Sequence, residues 1–458
     1  MSGFGRNMKS RLNTIREITV EGMALGGEGQ GMMDGRPVYV FNGLPGERVR
    51  ARVIETNRNL SRAEALRILV ASPDRVAPVC PAYGTCSGCN LMHLAYPGQL
   101  EYKRQLVLRA LRQIGAFSRI PVLPCRPSAE RFGYRNKVQV PVRAAGPLVK
   151  IGFFIRGSRQ VIALDACPVH CLEGNQAFAE IKRLVHELGI PGYDEAKQSG
   201  ILRHVLVRTA RHRGESLVGL VTAEKADKRL RTLAERLMGQ LPQIKGVVQN
   251  YNPNPGNIIL GRETLPLAGQ PFVVEEAEGL QFRITAPSFF QINTRQIPVM
   301  YGLLRDYLGD AAKGTILDAY CGVGIFSLML SRTAQAVVGI ESGAEAIGDA
   351  RENAALNQIN NTRFVAGRVE RIMGQVEKCD GVVLNPPRDG CEPTVLFALE
   401  KMRPSHIVYV SCNPATLAKD LKILAKSYRI EKVQPVDLFP QTGHMESIVG
   451  LTRRGIRK

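Results

Sequence analysis

The last third of this chain predicts an open, mostly parallel α/β sheet, and three observations carry that prediction. An apolar run, Thr315 to Tyr320, enters the tight turn Cys321-Gly322-Val323-Gly324 and then a helical stretch, Ile325 to Leu330. A second apolar run, Ala336 to Ile340, ends at the acid Glu341. A third, Ile407 to Val410, passes through Ser411-Cys412-Asn413-Pro414 into a helix from Ala415. Strands that alternate with helices build parallel sheets, whose ligands sit beyond the carboxyl ends of the strands.

The Gly turn lets backbone approach a ligand closely. An acid closing the second strand, about 20 residues later, can accept hydrogen bonds from ribose hydroxyls. Ile325, Phe326 and Ser327 follow Gly324, so the third glycine of a dinucleotide site is missing and NAD is disfavoured. The pattern instead points to a nucleoside cofactor. A further strand, Gly381 to Leu384, stops sharply at Asn385-Pro386-Pro387 because proline cannot continue a ladder. Asn385 is thereby presented to the same cleft, or is an ordinary strand-ending residue.

Cys412 lies where a strand ends and a helix begins. Helix amides there favour thiolate over thiol, so it is placed like a nucleophile, a buried structural cysteine being the alternative. Glu446 opens a late apolar run, Ser447 to Val449, and a carboxylate there can serve as a general base or simply end a strand in solvent.

Upstream, Ile18-Thr19-Val20, Gly31-Met32-Met33, Pro37 to Phe41 and Glu47 to Ile54 read as short strands between the turns Gly26-Gly27, Asp34-Gly35 and Pro45-Gly46. That pattern fits an OB-like barrel of five short strands, a frequent nucleic-acid platform. Cys80, Cys86 and Cys89 follow with C-x5-C-x2-C spacing, which suits a metal or an iron–sulfur cluster, with zinc as the rival. Cys167, before Pro168, is a fourth candidate ligand, and Cys171 competes with it. Residues 97–115 have helical apolar spacing, with Lys103, Arg104, Arg109 and Arg112 on the other face. Lys137 to Val142, Val205 to Arg208 and Ser216 to Val221 predict a β-rich middle. Tyr134-Arg135-Asn136-Lys137 pairs an aromatic with cations, as RNA readers do.

With 458 residues the chain exceeds one typical core. Lys plus Arg number 61 against 41 Asp plus Glu, a net +20 spread without a polybasic tail, which favours a folded nucleic-acid surface. No 18-residue apolar run or signal peptide is present, so a cytoplasmic protein with no membrane partner is expected. Its 10 cysteines then fit metal binding and catalysis better than disulfides.

Phe289-Phe290-Gln291-Ile292-Asn293, Asp318 to Gly324, Asn385-Pro386-Pro387-Arg388, Ser411-Cys412-Asn413-Pro414 and His444-Met445-Glu446 resemble the RNA uracil-5-methyltransferase family over nearly the whole chain. Within it the chain resembles the TRAM-containing, iron–sulfur, 23S ribosomal RNA type. The resemblance implies three domains: a TRAM-like OB barrel (1–74), a β-rich central domain with the cysteines (75–285), and a Rossmann-like class I S-adenosylmethionine-dependent methyltransferase domain (286–458). It implies that Gln291, Tyr320, Glu341 and Asn385 contact S-adenosylmethionine, with Cys412 the nucleophile and Glu446 the base. It further implies a [4Fe-4S] cluster on Cys80, Cys86, Cys89 and Cys167, and a monomer acting on 23S ribosomal RNA.

The transfer-RNA T-arm uridine enzyme is an alternative, disfavoured because that type usually lacks the TRAM module and the cluster. An inactive RNA-binding ribosome assembly factor is another. Two departures stand out. The family usually has Asp where Asn385 stands. Gly367-Arg368 follows the third strand, where an acid or amide commonly holds adenine.

Overall fold

The computed structural model describes residues 12–146, 148–225, 227–376 and 378–455. Residues 1–11, 147, 226, 377 and 456–458 lie outside the described residues. The chain divides into two compact units: residues 1–106 with 154–160 and 439–444, and residues 107–153 with 161–438 and 445–458.

In the first unit, β1 (Ile15–Met23), β2 (Gly29–Met33), β3 (Arg36–Phe41), β4 (Arg48–Thr56) and β5 (Ser61–Val70) close a barrel in the order β1-β2-β3-β5-β4. Alternation sets its faces. Along β4, Val49, Ala51 and Val53 point into a core with Ile18, Val20, Val38 and Val40, while Arg48, Arg50 and Arg52 point out. β5 had no clear sequence signature, because its apolar residues do not alternate.

The barrel is tied to the segment after it by a fully buried carboxylate. Glu47 accepts the amides of Leu44 (2.9 Å) and Ser72 (3.2 Å) and a forked contact from Arg75 at 2.5 and 2.8 Å. Glu47→Ala strands the Arg75 cation and two amides. We expect it to destabilise the protein by about 3 kcal/mol in denaturant titration; a loss under about 1 kcal/mol, the scale of a surface pair, would show that water replaces the carboxylate.

The second unit holds two large sheets. The first is built from β6 (Lys137–Ala145), β7 (Leu148–Ile151), β10 (Leu202–Ala210), β11 (Glu215–Thr222), β12 (Ile244–Tyr251) and β13 (Glu263–Gly269), in the order β13-β12-β11-β10-β6-β7. Two-residue strands, β8 (Phe153–Phe154) and β9 (Val161–Ile162), interrupt the numbering. The helices Leu172–Glu187 and Lys228–Gln240 bury Phe178, Ile181, Leu233 and Leu237 in one core with the sheet's valines. A hairpin, β14 (Phe272–Ala277) and β15 (Leu280–Thr285), follows.

The second sheet contains β16 (Thr315–Ala319), β17 (Ala336–Glu341), β18 (Thr362–Ala366), β19 (Gly381–Leu384), β20 (His406–Ser411), β21 (Tyr428–Val436) and β22 (Glu446–Arg453). Its order is β18-β17-β16-β19-β20-β22-β21. β18 through β20 run parallel, and β22 is antiparallel to both β20 and β21. The chain leaves β16 towards β18 and later returns on the other side at β19. The carboxyl ends of β16 and β19 therefore flank the topological switch point, the place where such sheets bind ligands.

Candidate active site

Every strand of this sheet that carries a candidate residue delivers it to that one edge. Tyr320 follows β16, Glu341 closes β17, Asn385 follows β19, Cys412 follows β20 and Glu446 opens β22. The register explains the last pair. Ser411 lies opposite Ser447 in the antiparallel ladder, so Cys412 and Glu446 flank the final rung.

The glycine turn is backbone-constrained. Tyr320, Gly322 and Gly324 have φ of +67°, +57° and +83°. Glycine adopts these values freely, whereas a tyrosine there stores strain of about 1–3 kcal/mol, which folded proteins keep mostly at functional sites. A Cβ on Gly324 would come within 3.0 Å of the Phe364 ring and 3.3 Å of Ala350. Glu341 braces the turn: one carboxylate oxygen accepts the Gly322 amide (3.3 Å), and the other accepts the Gly343 amide and the Ser342 hydroxyl, both at 2.9 Å. Asp318, buried behind the turn, accepts the Ser327 hydroxyl at 2.6 Å, and burial pushes its pKa up to about 7.

Gln291 is buried in a pinned segment, residues 286–296. Asn136 Nδ2 donates to the Gln291 carbonyl and to Thr294 Oγ1, each at 2.9 Å. The buried Glu275 carboxylate accepts the Thr294 hydroxyl (3.3 Å) and the amides of Arg211 (2.7 Å) and His212 (2.9 Å). Arg208 donates to the carbonyls of Ala286 (3.1 Å) and Ser288. Phe290 packs beneath, 5.9 Å from the Phe282 ring, while Phe289 is 60 % exposed. Tyr134 is 1 % exposed, so the Tyr134–Lys137 stretch does not present an aromatic to a base. That expectation is corrected: Asn136 is a structural pin. Lys103 is likewise removed from the supposed basic face, being fully buried with Nζ donating to the Phe439 carbonyl at 3.1 Å.

The loop after β19 is fastened to the Cys412 helix, Pro414–Leu424. Asn413 caps that helix by accepting the Ala415 amide (3.0 Å), and its Nδ2 donates to the Arg388 carbonyl (3.0 Å). Thr416 Oγ1 donates to the same carbonyl at 3.2 Å. Asp420 accepts the Cys391 amide (2.8 Å) and the Tyr409 hydroxyl (2.5 Å). Asn385 itself is half-buried, and its amide donates to the Ala319 carbonyl at 3.3 Å across the switch point.

Electrostatics link the two chemical groups. Burial pushes the Glu446 carboxyl up to about 8, against the pull of the Arg388 guanidinium, and Glu446 Oε2 is buried with no hydrogen-bond partner among the described residues. Cys412 is half-buried and its thiol is also pushed up, first by burial and then by Glu446, while Arg388 pulls it down. The expected helix-start preference for thiolate is therefore outweighed. Arg388 acts on both groups and was not singled out from sequence, although it closes the Asn385–Arg388 motif. Glu370 was also missed. It lies three residues past Gly367 in the short helix Val369–Ile372 and acts electrostatically on Tyr320, supplying an acid near the site that Gly367-Arg368 lacks.

Cys80, Cys86 and Cys89 are free, half-buried thiols of the first unit, and Cys167 is a half-buried thiol of the second. Burial foremost pushes the Cys86 thiol up. Soft thiols suit an iron–sulfur cluster, but among the described residues no three His, Cys, Asp or Glu are gathered to hold a metal. No described helix is long and apolar enough to cross a membrane.

A mostly parallel sheet in the order β18-β17-β16-β19-β20-β22-β21, with its switch point between β16 and β19, has the Rossmann-like architecture of class I methyltransferases. Residues 213–454 match the family described as tRNA (Uracil-5-)-methyltransferase, and residues 9–66 match the TRAM domain. An uncharacterized RNA methyltransferase of Halalkalibacterium halodurans is 38 % identical over 444 residues, covering 96 % of this chain and 97 % of the relative. One from Gloeobacter violaceus is 39 % identical over 439 residues, covering 95 % and 96 %. The crystal structure of Pyrococcus abyssi tRNA (uracil-54, C5)-methyltransferase, in complex with S-adenosyl-L-homocysteine, superposes with a TM-score of 0.77 at 27 % identity, covering 95 % of this chain and all of that one. The chain belongs to the RNA uracil-5-methyltransferase family, as a TRAM-containing, S-adenosylmethionine-dependent RNA methyltransferase.

Proposed function

We propose that this protein methylates C5 of a uridine in 23S ribosomal RNA, with Cys412 as nucleophile and Glu446 as base. The observation that carries the chemistry is the meeting of Cys412 and Glu446 across the β20–β22 ladder, under one cation, Arg388. Cys412 Sγ adds to uracil C6, which makes C5 nucleophilic. S-adenosylmethionine supplies the electrophilic methyl group; Gln291, Tyr320, Glu341 and Asn385 would hold it, and the Glu341-braced glycine turn and the strained Tyr320 suit that task. Glu446 then takes the C5 proton and Cys412 leaves. C5 and C6 must face both groups together, so the uridine has to leave its stack; the exposed Phe289 can stack on it or fill its place.

The ribosomal substrate rests on the TRAM module together with the C-x5-C-x2-C loop. The transfer-RNA reading is favoured by the Pyrococcus abyssi likeness. Nucleoside mass spectrometry decides: unmodified 23S and transfer-RNA transcripts are each incubated with protein and S-adenosylmethionine. New 5-methyluridine in the 23S transcript alone supports the proposal, product in transfer RNA alone replaces the substrate, and no product in either favours the assembly-factor reading.

Arg388 lowers the pKa of both reacting groups, and both must be deprotonated to act. Removing it raises both, so Arg388→Gln should slow turnover at pH 7 by about tenfold for each unit that the acid limb moves. Activity should recover as pH rises past about 8, and Arg388→Lys should keep much of it. An unchanged pH profile in Arg388→Gln would remove the cation from the mechanism.

We also propose that Cys80, Cys86, Cys89 and Cys167 hold a [4Fe-4S] cluster of structural or RNA-positioning role. Protein purified without oxygen should then carry iron and sulfide that each Cys→Ser variant loses; zinc, or no metal at all, would refute this.

A further inference from the structure

The end of the catalytic sheet opposite Cys412 carries two adjoining cavities that the methyl transfer does not use. One, of about 330 Å³, is lined by Phe117, Arg119, Tyr428, Arg429 and Arg454. The other, of about 340 Å³, is lined by Glu400, Arg403, Tyr428, Arg453 and Arg454. Tyr428 and Arg454 line both, so the two cavities adjoin and are treated as one groove.

Its charge is strongly one-sided. Arg429 is paired with Glu431 at 2.7 Å. Arg119, Arg403, Arg453 and Arg454 make no ion pair among the described residues, and Glu400 is the one acid in the lining. Two of these side chains are already oriented. Arg453 donates to the Arg403 carbonyl at 2.7 Å, and Arg454 Nε and Nη2 donate to the Ala425 carbonyl at 3.2 and 3.1 Å. No further hydrogen bond or ion pair of these two guanidinium groups occurs among the described residues. The floor is firm: the buried Tyr428 hydroxyl donates to the Pro404 carbonyl at 3.2 Å.

Concentrated guanidinium groups without counter-ions suit phosphate, and arginine presents its donors as a planar fork. We propose that this groove holds the phosphate backbone of the RNA substrate at a point remote from the modified uridine. The assignment rests on the RNA methyl-transfer reading, and the distance deepens it. Glu446 opens β22 and Arg453 ends it, about 24 Å away along the strand at ~3.4 Å per residue. A lone nucleotide cannot reach both places, but a folded RNA can. The substrate would then be selected partly by structure flanking the target uridine.

Binding of a full-length unmodified 23S transcript, titrated against salt, tests this in the intact protein. R119Q/R403Q/R454Q should bind about tenfold or more weakly, and its plot of log K against log salt should be shallower by about 2–3, one increment per lost phosphate contact. R119K/R403K/R454K should keep most of the slope, because counter-ion release needs charge and not the fork. An unshifted melting midpoint would show that the glutamine variant folds; should it not, the same three positions changed one at a time each make the slope shallower by about 1. Equal affinity and equal salt slope in parent and glutamine variants would overturn the proposal, as would a protein that binds the transcript with no salt dependence. Because the readout is binding, a failure to methylate any transcript would sink the proposed function and leave this result standing by itself.

Discussion

A Cys412→Ala variant transfers no measurable methyl group and forms no covalent RNA adduct. Uracil C5 is a weak nucleophile until sulfur adds at C6, and alanine offers nothing that can add. The loss should reach at least about 10⁴-fold in kcat, the scale seen when a nucleophile is removed. Fold and RNA binding should survive: Cys412 is half-buried, and the cap of its helix belongs to Asn413. The measurement is methyl transfer from labelled S-adenosylmethionine, with denaturing electrophoresis for the adduct. Residual turnover within about tenfold of the parent would take the nucleophile role from Cys412.

Glu446→Gln should separate the two halves of the reaction. Glutamine cannot take the C5 proton, so turnover falls by about 10²–10⁴-fold. Cys412 can still add and the methyl group can still move, so a protein–RNA adduct carrying labelled methyl should accumulate. The same carboxyl predicts a pH dependence. Burial holds it near about 8, well above the ordinary glutamate range. Below that pH it is mostly the neutral acid, which cannot act as a base, so in the parent the release step should speed up as pH rises through about 8. Adduct should persist longer at pH 6 than at pH 9. Normal turnover in Glu446→Gln, or an adduct lifetime independent of pH, would assign proton removal to another group.

The edge of the catalytic sheet was legible from sequence because three of its strands are short apolar runs followed closely by chain-breaking residues. Gly322 and Gly324 break β16, prolines 386 and 387 break β19, and Pro414 turns β20 into a helix. Those punctuation marks are local, so they are readable one segment at a time. The supports of the site are not local. Asn136 reaches a carbonyl 155 residues away, and Glu275 ties Thr294 to the end of β10. An Asn in an aromatic and basic stretch reads equally well as a nucleic-acid contact or a pin, and only the fold shows that Tyr134 is inside. Helical spacing likewise put Lys103 on a polar face, but its amine found a carbonyl in residue 439.

By itself the sequence determined the strand ends, the glycine turn, the barrel's alternation and the residue types that the chemistry needs, because period and chain-breaking residues act within a few positions. Tertiary structure alone decided how those groups ionise. Cys412 stands at a helix start, which favours thiolate, yet burial and the Glu446 carboxyl push its thiol up, and Arg388 opposes them both. The sign of that balance depends on how residues 388, 412 and 446 are brought together, by a ladder that pairs Ser411 with Ser447 and by the Asn413 and Thr416 bonds to the Arg388 carbonyl. A charge acts through space, and no pattern along the chain records which charges the fold will bring together.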